Sequence, residues 1–149
     1  MSVKIEHRIG VQAPAEAIWA VISDIGGWRR WNPLYPRAEG ALRIGSQLTL
    51  DLVLPEQAPR TIKPVILDWV PNDQIHWRLS MLGGLVKTTR YLEIESLSAN
   101  GCIFSNGELF GGYLGPSVAR RMGRSVRQGF TAMGEAVKQQ AEAAFAAGL

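Results

Sequence analysis

The chain has 149 residues, 46% of them hydrophobic and 19% charged, with a net charge of +3. That length suits one domain over residues 1–149 with room for a real core, and the composition excludes an intrinsically disordered chain. A single cysteine, Cys102, excludes an intramolecular disulfide, and the lack of an apolar leader or of a run of about 18 apolar residues predicts a cytoplasmic protein without stable membrane insertion.

In chain order, residues 3–12 read as a strand, with Val3, Ile5, His7, Ile9 and Val11 alternating against polar or small neighbours. Pro14 suits the first turn of a helix over residues 14–23, where its missing N–H costs nothing, and Gly26-Gly27 breaks that helix. An aromatic segment follows, Trp28-Arg29-Arg30-Trp31, which turns where Pro33 disfavours helix at Asn32. Residues 47–54 alternate, with Leu48, Leu50, Leu52 and Leu54 on one face, and residues 61–70 form a β-branched, apolar strand. After the turn at Pro71-Asn72-Asp73, residues 74–81 alternate again and set Ile75, Trp77, Leu79 and Met81 on one side. Gly83-Gly84 separates these from two more strands, 86–97 and 102–110, joined by an Asn100-Gly101 hairpin turn. Strands strung together by short turns imply an antiparallel sheet.

The remainder, residues 113–146, carries Val118, Met122, Val126, Phe130, Met133, Val137 and Ala141 at helical spacing. Such a helix is about 50 Å long, and the longest strands reach about 40 Å. It is the element long enough to cover an apolar sheet face. The predicted fold class is therefore α+β: a curved antiparallel sheet of six to seven strands wrapped around one long C-terminal helix.

A helix is a narrow rod and a curved sheet is wide. The uncovered part of the concave face must collapse, take up other elements, or stay open as a pocket. Residues 28–35, with Trp28, Trp31 and Tyr35, form a natural lid over one end. The expected lining comprises Leu50, Leu52, Trp77, Leu79, Met81, Leu92, Phe104, Phe110, Met122, Val126 and Phe130. For Trp77, Met81, Met122 and Phe130, plain core packing is an equally good reading.

The sharpest polar signal lies in the last hairpin. A four-residue turn sets Ile94 opposite Phe104, Leu92 opposite Asn106, and Arg90 opposite Glu108. If these faces point inward, an Arg90–Glu108 pair lies inside the hollow with Asn106 beside it, because a lone charge there is costly. The trio either orients a carboxylate, hydroxyl or carbonyl of a ligand, or fixes sheet register. Other chemistry is sparse. His7 and His76 are far apart and read as strand surface residues, and Cys102 reads as a small buried hydrophobe. No nucleophile elbow or phosphate loop is present, so neither a metal nor a cofactor is expected. The arginines of the aromatic segment, and Arg120, Arg121, Arg124 and Arg127, read as solvated side chains rather than a nucleic-acid or headgroup site.

Residues 17–24, Ala-Ile-Trp-Ala-Val-Ile-Ser-Asp, together with Trp28 and Trp31-Asn32-Pro33, resemble the first helix and aromatic turn of the START-like helix-grip superfamily (SRPBCC). The likeness is to its bacterial polyketide cyclase/dehydrase and lipid-transport branch. Residues 71–77 resemble that family's strand–turn–strand ending in Trp. Residues 106–111, Asn-Gly-Glu-Leu-Phe-Gly, resemble a His-x-Glu-x-Phe-x-Gly pattern, and Gly129 to Met133 resembles a pattern on the last helix. Asn106 stands where relatives often carry His, and an amide does not titrate. The resemblance implies two short helices between the first two strands and a hydrophobic tunnel for lipids, sterols, polyketides or plant-hormone-like molecules.

Three functions follow as expectations. The first is non-catalytic binding of a small hydrophobic ligand by a monomer or weak homodimer, with Arg90, Asn106 and Glu108 selecting a polar end. The second is a polyketide cyclase/dehydratase-like enzyme in which Glu108 or Arg90 helps proton transfer, a reading the short supply of titratable groups disfavours. The third is a surface that contacts a protein or membrane.

Overall fold

The computed structural model describes residues 2–148. Alternation in the first strand, β1 (Val3–Val11), buries Ile5 and Val11 and turns Lys4, Arg8 and Gly10 to water. Helix α1 (Ala15–Ser23) starts directly after Pro14 and buries Ile18 and Ile22. A 3₁₀ turn, Ile25–Arg30, follows and sinks Trp28 completely, at 0% exposure. Trp28 Nε1 donates to the Ile22 carbonyl at 3.1 Å, which fastens the turn to the end of α1. Asn32 then reverses the chain: its Oδ1 accepts from the backbone N–H of Leu34 at 3.0 Å and of Tyr35 at 3.1 Å, an Asx turn that aims both side chains inward.

Short strands β2 (Arg37–Glu39), β3 (Thr49–Leu52) and β4 (Arg60–Ile62) form a three-stranded sheet in that order. Strands β5 (Val65–Val70), β6 (Gln74–Met81), β7 (Val86–Ser98) and β8 (Gly101–Gly111) join β1 in a five-stranded sheet, ordered β1-β8-β7-β6-β5. Every named strand pair is antiparallel. The sheets run into one another through Leu48 N–H to the Pro64 carbonyl at 2.8 Å and Ile66 N–H to the Ser46 carbonyl at 2.9 Å. Segmentation is finer than the sequence predicted. The single strand expected over residues 61–70 is two, β4 and β5, because Pro64 has no N–H to give a ladder. The three-residue β2 has no alternation long enough to be read.

The concave face holds α2 (Gly115–Ala146), about 48 Å long at 1.5 Å per residue. Val126, Phe130, Met133, Val137 and Ala141 face the sheet and are buried, while Arg120, Arg121, Arg124 and Arg127 are exposed to solvent. The helix starts two residues later than predicted, because Gly112 makes the corner. Gly112 has φ +81, and a Cβ there would lie 2.5 Å from the Leu85 carbonyl oxygen.

This is the expected helix-grip architecture, but the trough is fuller than a rod-and-sheet picture implies. Trp28 stacks on Tyr35 with centroids 5.7 Å apart, and Trp77 lies 6.2 Å from Trp28 and 5.8 Å from Tyr35. These rings pack the middle of the concave face. Trp28, Leu34 and Tyr35 of the 28–35 segment are therefore buried in the core and do not sit as a lid over it.

Candidate functional site

The β7–β8 hairpin has the register its turn predicts: Ile94 pairs with Phe104, Leu92 with Asn106, and Arg90 with Glu108. Parity then points Thr88, Arg90, Leu92 and Asn106 into the interior, where all are buried. Arg90 is only 1% exposed. Its Nε donates to Tyr35 Oη at 3.0 Å. Nη1 donates to the carbonyls of Tyr91 at 3.2 Å and Gly107 at 3.1 Å, and Nη2 to Asn106 Oδ1 at 3.0 Å and Met133 Sδ at 3.4 Å. A guanidinium has five N–H groups, and here each has an acceptor. The Phe130 ring caps the group, with its centroid 4.0 Å from the guanidinium carbon.

The expected Arg90–Glu108 ion pair does not form. Among the described residues no carboxylate lies within ion-pairing distance of Arg90. Neutral carbonyl, hydroxyl, amide and thioether acceptors from four segments surround the guanidinium, and Glu108, although directly across the ladder, faces a cavity instead. Asn106 serves the same cluster. Its Nδ2 donates to the Phe130 carbonyl at 3.2 Å, so one amide ties Arg90 to the middle of α2.

The cavity lies between the far ends of β6 and β8, the β3–β4 ribbon and the first half of α2. Its volume is about 40 Å³, enough for a few waters. Its wall contains ten of the residues the sequence singled out: Tyr35, Leu52, Trp77, Leu79, Met81, Glu108, Phe110, Met122, Val126 and Phe130. Trp28, Trp31, Leu50, Leu92, Phe104, Arg90 and Asn106 are not on that wall. Trp31 packs against the core half-buried, and the other six are buried. The wall also includes Leu54, Arg60, Ile62 and Val118. Leu54 and Val118 belonged to stripes visible in the sequence. Arg60 and Ile62 were hidden by the merging of β4 with β5.

Burial dominates the electrostatics of this wall. It pushes the Glu108 carboxyl above the usual carboxylate range, against the opposing pull of Arg90, Thr88 and Arg60. It likewise raises the Tyr35 phenol, with Arg90 lowering it and Glu108 raising it further. Thr88 Oγ1 is buried and makes no hydrogen bond of good geometry. Arg60 is exposed at the rim, its Nη2 3.7 Å from Met81 Sδ.

The remaining candidates lie elsewhere. His76 Nε2 meets Glu93 Oε2 at 2.8 Å on the outer face. His7, expected at the surface, is half-buried against α2 beside Gly134, and burial lowers its pKa. Cys102 is buried. Among the described residues no group of His, Cys, Asp or Glu is arranged to hold a metal ion, and no helix is long and apolar enough to cross a membrane.

The profile of one family, described as polyketide cyclase/dehydrase and lipid transport, matches residues 2–142. The chain belongs to that family. A search of curated proteins found no match to the sequence. Solved structures share the fold at low identity. The Zhui aromatase/cyclase of Streptomyces is 22% identical with a TM-score of 0.78, covering 97% of this chain and 96% of that one. A point mutant of Thalictrum flavum norcoclaurine synthase, in complex with a transition-state analogue, is 18% identical with a TM-score of 0.72, covering 95% of this chain and 94% of that one. A START superfamily protein of Mycobacterium smegmatis is 23% identical with a TM-score of 0.68, covering 91% and 97%. At these identities the likeness establishes the helix-grip fold, and family membership rests on the profile.

Proposed function

We propose that this protein binds a small, mostly apolar molecule in the cavity between the sheet, the β3–β4 ribbon and α2. The observation that carries the reading is the wall itself: among the described residues, apolar side chains from five elements converge on a space with Tyr35, Glu108 and Arg60 as its polar groups. The resting volume of about 40 Å³ is far below the roughly 300 Å³ of a typical ligand pocket. A guest therefore enters by displacing Leu79, Met81 and Met122, which are half-buried and, in the case of Met, flexible. Affinity comes from burial at about 25 cal/mol per Å² of apolar surface, less the cost of ordering the complex. A thermal-shift screen of phenols, flavonoids, sterols and fatty acids tests this directly. At least one class should raise the melting temperature of the protein and leave a Met122→Trp variant, with the space filled, unmoved. No shift from any class contradicts the reading.

A second reading, a cyclase- or dehydratase-type enzyme, is favoured by one feature. Glu108 is a carboxyl without an ion-pair partner, biased toward its neutral form on the wall of an apolar space, which suits a general acid. Arg90 takes no direct part in such a reaction, since its N–H groups are all engaged. Glu108→Gln should then lower turnover by about 100-fold or more while binding survives.

A further inference from the structure

Sequence reasoning placed Arg90, with Asn106 and Glu108, at the polar end of the hollow, either to orient a carboxylate, hydroxyl or carbonyl of a ligand or to fix sheet register. With all five N–H groups bonded to protein acceptors, Arg90 has none left to offer. Tyr35 is in the opposite situation. Its Oη accepts from Arg90 Nε, which fixes the ring, while its own proton has no acceptor among the described residues. A hydroxyl that accepts from a guanidinium is polarised into a stronger donor, and Tyr35 stands on the cavity wall. Glu108 shares that wall, near enough for the two groups to feel each other's charge. Thr88 Oγ1 is buried behind that wall, facing Glu108 without a hydrogen bond of good geometry. The inner end of the cavity is thus an arrangement of oxygens with a donor to spare and no available cation.

The geometry points to a neutral oxygen-bearing ligand, with a phenolic or alcoholic hydroxyl or a ketone carbonyl seated between Tyr35 and Glu108, and to the rejection of free carboxylates. This rests on the binding reading above and names its ligand class. A ligand hydroxyl can accept from Tyr35 or donate to Glu108, and a ketone can accept from Tyr35. A carboxylate would be stripped of water beside another carboxyl, with no N–H to receive it, which is the costly case for a buried charge. Arg60 stands at the mouth, exposed and hydrated, so its charge favours an acid group there and not at the Tyr35 end.

The test uses three probes of one shape: a naphthol, the corresponding methylnaphthalene, and the corresponding naphthoate, titrated by calorimetry near neutral pH. The naphthol should bind about tenfold more tightly than the methylnaphthalene, and the naphthoate more weakly than either. Tyr35→Phe should remove the naphthol's advantage and leave methylnaphthalene affinity unchanged, which also reports an intact cavity. Glu108→Gln, neutral and still hydrogen-bonding, should keep naphthol affinity within about threefold. If Tyr35→Phe does not fold, the wild-type ranking alone decides. Naphthoate binding as tight as naphthol, or naphthol no tighter than methylnaphthalene, overturns the neutral-ligand inference and leaves apolar binding standing. Failure of all three probes to bind overturns the binding reading and this inference together.

Discussion

Arg90 shows how a buried charge is tolerated without a counter-charge. Its acceptors are two strand carbonyls, a phenol, an amide and a thioether, with an aromatic ring over one face. Removing it strands several buried acceptors, each costing about 1–3 kcal/mol. Arg90→Leu should therefore lower the free energy of unfolding by about 3 kcal/mol or more, read from urea denaturation. Arg90→Lys should rescue little of it, because an ammonium supplies three donors from one point and cannot span this set. Unchanged stability in Arg90→Leu would contradict the structural role given to this residue. Glu108 makes the converse prediction. Its neighbours are Arg90 and Thr88 on β7, Arg60 on β4 and Tyr35, while α2 offers only Val118, Met122, Val126 and Phe130. Burial wins, and the folded-state pKa is raised above the unfolded value of 4.5. Folded protein then holds a proton that unfolded protein releases, so this contribution to stability is complete below the unfolded pKa and is lost as pH rises through the folded one. His7 works in the other sense: its pKa is lowered below 6.5, so it costs stability as pH falls. The Glu108 effect is accordingly read as the difference between wild type and Glu108→Gln. The variant should gain on wild type as pH rises from acid to neutral, and a flat difference across that range would contradict a raised Glu108 carboxyl.

At the scale of elements, the last hairpin was the most legible part of the chain. Asn100-Gly101 marked the turn in the sequence, and period-two alternation carried the register to Arg90 and Glu108, although the hairpin closes on Ser98 and Gly101 after a register shift past Ser96. Alternation gives the face of each residue but not the direction of a long side chain, so the expected ion pair was wrong although the pairing of backbones was right. Apart from the neighbouring Tyr91 carbonyl, the acceptors of Arg90 come from other segments, and no local pattern reports that convergence. The split at Pro64 was missed because an apolar, β-branched run outweighed one proline, and with it went Arg60 and Ile62 at the cavity wall. The strand-to-helix corner turns on Gly112, and it carries its own prediction. Gly112→Ala puts a side chain at φ +81 against the Leu85 carbonyl, and should cost about 2 kcal/mol. A melting temperature equal to wild type would show that the corner can relax.

For the whole molecule, the rod-in-trough argument was half right. One helix does not fill the concave face, but the 28–35 segment and Trp77 supply the rings that close its middle. What stays open is one end, small at rest and walled by side chains able to move. The chain's methionines report on this by position: Met81 and Met122 stand on the cavity wall, whereas Met133 is buried against Arg90. The most direct measurement is methyl NMR of methionine-labelled protein during titration with a naphthol. The expected result is saturable shifts at Met81 and Met122 that exceed any at Met133. Shifts that fail to saturate, or that leave Met81 and Met122 unmoved, would contradict a guest in this cavity.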